Sequence, residues 1–281
     1  MAQRGPVVVT GASTGIGEAC AQRLSSLGFD VFAGVRSDAD VERLRAAGSV
    51  RPLKLDITDS ASIAAAAETV IAASGGRLAG LVNNAGIAVT APLEFLPVEE
   101  LRRQLEVNVI GHVAVTQAFL EALRAARGRI VNISSIGGRI ALPLLGAYAG
   151  SKFALEGISD ALRRELRPWG IAVAVVQPGA IATPIWDKGS VAAEGLLVEA
   201  PAEASERYGP LIETMRSGAL EAARDGLPPA AVADIVAHAL TSARPRTRYL
   251  VGREAKVRAT LARVLGDRVF DALIARTLNW R

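Results

Sequence analysis

The chain has 281 residues, half of them hydrophobic and 21% charged, a balance that supports a substantial core and excludes a disordered or fibrous protein. Its net charge of +4 comes with only 4% aromatic residues, so the basic groups lack the stacking rings of a nucleic-acid platform and no nucleic-acid partner is expected. One cysteine, Cys20, excludes an internal disulfide and a cysteine-rich zinc site; the two histidines, His112 and His238, lie far apart in sequence and are a poor fit to a zinc hydrolase or a histidine-based triad, and no metal is expected.

Apolar runs at 6–9, 31–35, 53–55 and 80–82 alternate with helical patterns at 15–27, 38–47, 61–73 and 98–127, the last reading as one long helix or two. Two further runs, 129–133 and 171–176, flank a helix over 147–167, and a final strand is expected at 248–251 after a helix at 230–240. Short β-runs separated by helices imply βαβ units, and their nearly unbroken apolarity suits strands buried on both faces. The expected fold is therefore α/β: a single Rossmann-type doubly wound parallel sheet of about seven strands, with helices on both faces, formed by residues 1–281 as one domain. The first strand begins at Pro6, leaving no room for a signal peptide, and no apolar run is long enough to span a bilayer; the cytoplasm is the expected address.

Two segments depart from the alternation. Residues 184–229 are mixed in polarity and punctuated by Pro201, Pro210, Pro228 and Pro229, which reads as a long insertion serving as a substrate lid. Residues 254–281 form an extension of one or two basic amphipathic helices, expected to pack on the domain or on a partner subunit. Its pattern leaves membrane contact open, although that is the less favoured reading.

The chemistry begins where the first strand runs into Thr10-Gly11-Ala12-Ser13-Thr14-Gly15-Ile16-Gly17 and then a helix. A strand, a glycine-rich turn and a helix N-terminus make a phosphate cradle, because the backbone can approach a pyrophosphate and free N–H groups face it. A second pattern is Tyr148-Ala149-Gly150-Ser151-Lys152, in which four residues bring the phenol and the ammonium to one helix face. A free phenol has a pKa of about 10. A nearby ammonium favours the phenolate and makes the tyrosine a usable acid-base, and the Ser135 hydroxyl could hold a substrate oxygen beside it.

Together with Asn83-Asn84-Ala85-Gly86 and Pro178-Gly179, these motifs stand in the order found in the classical short-chain dehydrogenases/reductases, which the chain resembles over about residues 6–183. The segment Arg244-Pro245-Arg246-Thr247-Arg248-Tyr249-Leu250-Val251-Gly252 looks like the hydroxysteroid and retinol dehydrogenase branch, and Gly150 stands where the family more often has alanine. The resemblance implies a catalytic set of Asn108, Ser135, Tyr148 and Lys152. Tyr148 would exchange the proton, Lys152 would lower its pKa and hold the nicotinamide ribose, Ser135 rather than Ser134 would bond the substrate oxygen, and Asn108 would support a water linking the lysine to solvent. It also implies a dinucleotide along Gly11, Ser13, Thr14, Gly15, Ile16, Gly17, Asp56, Ile57, Asn83, Ala85, Gly86, Tyr148, Lys152, Pro178, Gly179 and Thr183.

At the end of the second strand, the position where an NAD enzyme carries an acid is Val35, followed by Arg36, which can pair with the extra phosphate of NADPH. NADP(H) is favoured on that ground, with NAD(H) open because Asp38 and Asp40 are close and Thr14 is not basic. The substrate pocket is expected to use Ser135 and Tyr148 with an apolar wall of Ile140, Leu142, Leu144, Ile185 and Trp186, and few charged groups. A hydrophobic alcohol or its carbonyl is the implied substrate. A homodimer or homotetramer paired through 98–127 and 147–167 is expected, and the rival reading is a dinucleotide-binding redox sensor without turnover.

Overall fold

The structure is a computed structural model that describes residues 4–185, 189, 194–196, 198 and 200–280. Its centre is a seven-stranded sheet in the order β3-β2-β1-β4-β5-β6-β7, every neighbouring pair parallel. The strands are β1 (Pro6–Val9), β2 (Asp30–Val35), β3 (Arg51–Lys54), β4 (Gly80–Asn83), β5 (Arg129–Ile133), β6 (Ala172–Pro178) and β7 (Arg248–Val251). Alternation of side chains splits the core into two layers. Val7 and Val9 join Val31, Ala33, Leu24 and Val236 on one face, while Val8 joins Phe32, Leu81, Phe119 and Leu123 on the other. Helices α1 (Gly15–Ser26) and α8 (Pro229–Thr241) cover the first face; α3 (Ser60–Ser74) and α5 (Gly111–Ala126) cover the second. The two-sided burial explains why the strands read as continuous apolar runs.

Local chemistry sets several boundaries. The Ser37 hydroxyl accepts from the Asp40 amide at 3.1 Å to start α2 (Asp38–Ala47), and the helix ends on Gly48 at φ 67°. The left-handed conformation there suits glycine, which has no Cβ to clash. Asp59 likewise caps α3 through the Ala61 amide at 3.0 Å.

Residues 98–126 form one continuous rod: α4 (Val98–Leu105), a π-helical turn over Glu106–Ile110, then α5. Following β5, α6 (Gly146–Glu165) carries the tyrosine–lysine pair.

The described part of the segment expected as a lid is largely helical, with α7 (Ala202–Asp225) filling much of it. Its prolines mislead because most of them begin helices: Pro201 caps α7, and Pro228 and Pro229 start α8, positions where the missing N–H costs no bond. Pro210 lies inside α7, where the Thr214 hydroxyl donates to its carbonyl at 2.9 Å. Tyr208 anchors α7 by donating to Glu94 at 2.9 Å, meeting Phe95 edge-on and stacking near Trp280. The chain closes with α9 (Arg253–Val264) and α10 (Asp267–Thr277), so the C-terminal extension is two helices. Among the described residues, no helix is long and apolar enough to cross a membrane.

Candidate functional site

Strand β1 is hydrogen-bonded to β2 on one side and β4 on the other, so the chain order reverses there and leaves a crevice at the carboxyl ends of the strands. The turn after β1 is fitted closely to the turn after β4. The Thr10 hydroxyl accepts from the amides of Asn84 and Ala85 at 2.9 and 3.0 Å, and the Asn84 amide group donates back to the Thr10 and Gly11 carbonyls at 2.9 and 3.1 Å. A Cβ on Gly11 would stand 2.7 Å from Ala85 Cα, and one on Gly17 would run into the Gly11 carbonyl. These glycines are therefore demanded by close backbone packing as well as by access for a ligand.

The resulting cleft, about 330 Å³, is lined by Gly11, Ser13, Thr14, Gly15, Ile16, Arg36, Asp56, Ile57, Ala85, Gly86, Tyr148, Lys152, Pro178, Gly179 and Thr183 from the expected set. The backbone cradle of the glycine turn, the α1 N-terminus and the adjacent Arg36 fit a dinucleotide. At its far end, burial works to raise the Asp56 carboxyl, but the Thr58 amide and hydroxyl bonded to it, with Arg36 nearby, hold it below the usual carboxylate range.

Two expected cofactor residues do not face this space. Asn83 is the last residue of β4, and its buried side chain donates to Thr116 Oγ1 and Asn132 Oδ1, both at 2.9 Å; the strand's two-residue alternation turns Asn84 into the cleft instead. Gly17 lies behind the turn, where it permits α1 to pack against Gly11 and Asn84.

A second cavity, about 480 Å³, joins the first at Ser135, Tyr148 and Gly179. Ile136, Ile140, Leu142, Leu144 and Ala149 form one wall, and Ile212, Met215, Ala219 and Ala222 of α7 form another. Ile185 lies on the dinucleotide-type cleft rather than here, and Trp186 lies outside the described residues. The expectation of few charged groups holds for the apolar interior but not for the lining as a whole. Exposed Glu194, Arg216, Glu221, Asp225, Glu254 and Arg258 also border the cavity, brought there by helices distant in sequence.

At the junction, Tyr148 and Lys152 are both buried. Lys152 donates from Nζ to the Ile133 carbonyl at 2.9 Å, and its Nζ stands 5.7 Å from the centre of the Tyr148 ring. Burial pushes the lysine down to about 8, opposed by the negative charge of Glu156 one turn further along α6. Burial also raises the Tyr148 phenol above its ordinary value, with the Ser135 hydroxyl lowering it in part. The expected lowering by Lys152 does not emerge, because burial penalises the charged form of both groups. Ser135 is also braced by the Gly137 amide, which donates to its Oγ at 3.0 Å, whereas Ser134 borders the cleft too but its hydroxyl is buried without a hydrogen-bond partner among the described residues.

Asn108 sits in the π turn and reaches neither the tyrosine nor the lysine. Its Oδ1 accepts from the Ile87 amide at 2.9 Å, and its Nδ2 donates to the Ile87 carbonyl at 3.0 Å and to Ser151 Oγ at 3.1 Å. It belongs to a longer arrangement. Gln104, Asn108, His112 and Thr116 stand four residues apart, all buried, and bond to Val89, Ile87, Ala85 and Asn83 respectively. Four helical residues rise about 6 Å, close to the span of two residues of extended chain. Each turn of the rod therefore meets every second residue of the segment after β4. Burial drives His112 down to about 3, helped by the charge of Lys152 and opposed by its bond to the Ala85 carbonyl, so it serves as a neutral strut. Gln104, His112 and Thr116 were missed by sequence reasoning, although the four-residue spacing was visible, and Asn84 was read only as part of the Asn83–Gly86 motif.

A doubly wound parallel sheet with a phosphate cradle at its switch point, opening beside a buried Ser-Tyr-Lys group, defines a nicotinamide-dinucleotide oxidoreductase acting on CH–OH groups. Comparison agrees: residues 6–192 match the family model described as short chain dehydrogenase, and the chain belongs to the short-chain dehydrogenase/reductase family. It is 41% identical over 263 residues to the 17-beta-hydroxysteroid dehydrogenase type 6 of Bos taurus, covering 89% of this chain and 81% of that one. It is 34% identical over 280 residues to the NADPH-dependent 3-dehydrocapnine reductase of Ornithobacterium rhinotracheale, covering 97% and 96%. Among solved structures, a short-chain dehydrogenase/reductase from Burkholderia phymatum in complex with NAD superposes with a TM-score of 0.79 at 26% identity, covering 92% of each chain.

Proposed function

We propose that the protein is an NADP(H)-dependent oxidoreductase that interconverts a hydrophobic alcohol and its ketone or aldehyde, with Tyr148 as the general acid-base. The observation that carries this reading is the meeting of the dinucleotide-type cleft and the apolar cavity at Ser135 and Tyr148. A nicotinamide held in the cleft would supply or accept the hydride. The chain's own part is proton handling and orientation. With its pKa raised by burial, the phenol is held protonated at neutral pH, the form needed to pass a proton to a carbonyl oxygen during reduction. Ser135 would donate to the same oxygen and Lys152 would bond the nicotinamide ribose; both line the dinucleotide-type cleft, and α7 walls the apolar cavity that opens from it. Asn108, by holding Ile87 and Ser151, keeps the cleft wall and the start of α6 in register.

NADP(H) is preferred in this reading because Arg36 faces the cleft while the two acids that could serve NAD(H) are engaged elsewhere. Asp38 pairs with Lys54, and Asp40 is held by Ser37 and Arg43. The relative described as NADPH-dependent supports the same choice. We read 1–281 as one catalytic domain with the cytoplasm as its address, 184–229 serving as lid and 254–281 as extension, and pairing into a homodimer or homotetramer through α4–α5 and α6, whose outer faces expose Ile110 and Phe153.

The test is fluorescence titration with NADPH and NADH, followed by turnover of a panel of apolar ketones. NADPH is expected to bind at least about tenfold more tightly, with the advantage lost in Arg36→Ala. Tyr148→Phe is expected to keep dinucleotide affinity and lose about 10²–10⁴-fold in turnover. Tighter NADH binding would remove the Arg36 argument, and full turnover by Tyr148→Phe would remove the acid-base assignment.

A further inference from the structure

Helices α9 and α10 each turn one face to the domain and leave an apolar stripe outward. On α9, Ala255 and Ala259 are buried, whereas Val257 and Val264 are 54% and 73% exposed, with Leu261 between them on the same opposite face. On α10, Val269 and Leu273, one turn apart, are 59% and 41% exposed, while Phe270 and Ile274 are half-buried. A run of exposed valines and leucines on two consecutive helices exceeds the scattered apolar residues of an ordinary surface.

Basic groups frame these stripes. Arg253, Lys256, Arg263, Arg268 and Arg276 are exposed, and none is ion-paired with another described residue. Residues 253–281 contain seven basic and three acidic side chains, an excess equal to the whole chain's net charge of +4. Positive charge beside an outward apolar stripe is complementary to one kind of surface, an anionic lipid interface. At 12 and 11 residues the helices are too short to span a bilayer, so they would lie in its plane. Their position also matters: Glu254 and Arg258 of α9, and Leu278 just after α10, line the apolar cavity.

We infer that α9 and α10 form a docking surface that seats the protein on an anionic bilayer, with the cavity mouth beside the lipid. An apolar substrate would then pass from membrane to cavity without crossing water, which gives the charged rim and the apolar interior of that cavity a common use. The docking rests on the exposed stripes and their charge, not on the catalytic reading.

The test uses the full chain with vesicles of phosphatidylcholine alone and of phosphatidylcholine with phosphatidylserine, measured by co-sedimentation. Binding is expected to the phosphatidylserine vesicles only, weakening with salt. The double variant Val264→Glu/Val269→Glu is expected to weaken it at least about tenfold, as is Lys256→Glu/Arg263→Glu. All four positions are exposed, and NADPH titration of each variant checks that the sheet is intact. No binding to either vesicle, or equal binding by the variants, overturns the proposal. If the wild type ignores vesicles but forms a larger assembly that Val264→Glu/Val269→Glu dissociates, a second copy of the chain covers the stripe instead. Vesicle binding is read without turnover, so its failure leaves the oxidoreductase reading standing.

Discussion

The floor beneath α6 and the roof over the apolar cavity are built on different principles. Beneath the tyrosine, the rod of α4 and α5 is tied to the segment after β4 by buried side-chain bonds at each turn, from Gln104 to Thr116. Above it, α7 buries little besides Ala204 and Leu211, and α10 buries no residue fully. Buried polar networks admit one geometry, because any slip leaves a donor or acceptor without a partner in a poor solvent for it. A half-exposed amphipathic helix can shift at small cost. The reacting groups thus sit on the part of the molecule with a single arrangement, and the substrate meets a wall able to adapt.

The sharpest way to break this comparison is to cut the floor. Asn108→Leu keeps the volume but strips the Ile87 amide of its acceptor, and is expected to cost about 1–3 kcal/mol in urea unfolding, together with a loss of dinucleotide affinity. An unchanged unfolding midpoint would show that the rod and the cleft wall are held by something else.

Next in size is a change in titration. Glu156 accepts from Gln177 Nε2 and from Arg248 Nε, both at 2.8 Å, and its charge supports protonated Lys152. Removing that charge in Glu156→Gln lowers the lysine further below about 8, so the ammonium is lost at lower pH. The alkaline limb of the kcat/KM profile for reduction is expected to move to lower pH while the acid limb stays. An alkaline limb that does not move would sever Glu156 from Lys152.

The smallest stability effect belongs to the roof. Met215→Ala, on the cavity side of α7, is expected to change stability by less than about 0.5 kcal/mol while raising KM for bulky ketones and leaving kcat nearly constant. A large loss of stability would mean that α7 is as firmly built as the floor.

What could be read from the sequence followed the range of each signal. The strands, the Gly11–Gly17 turn and the Tyr148–Lys152 pairing were legible because apolar runs, a glycine-rich turn and a four-residue spacing are local features of the chain. The prolines of 184–229 misled because a proline that ends one element and a proline that starts another look alike until the helix is seen. Asn83 and Asn84 were indistinguishable as neighbours, and only the register of β4 against β5 sent Asn83 to Asn132 and left Asn84 on the cleft.

The sequence by itself determined the sheet, the glycine-rich cradle and the pairing of Tyr148 with Lys152 on one helix face, since each is encoded within a few consecutive residues. Tertiary structure alone decided the rest: which asparagine faces the cleft, how the phenol and the ammonium shift on burial, which charges reach the cavity rim, and that an apolar stripe on the last two helices stays uncovered. Those outcomes depend on groups far apart in the chain being brought together and removed from water, and neither composition nor spacing records that.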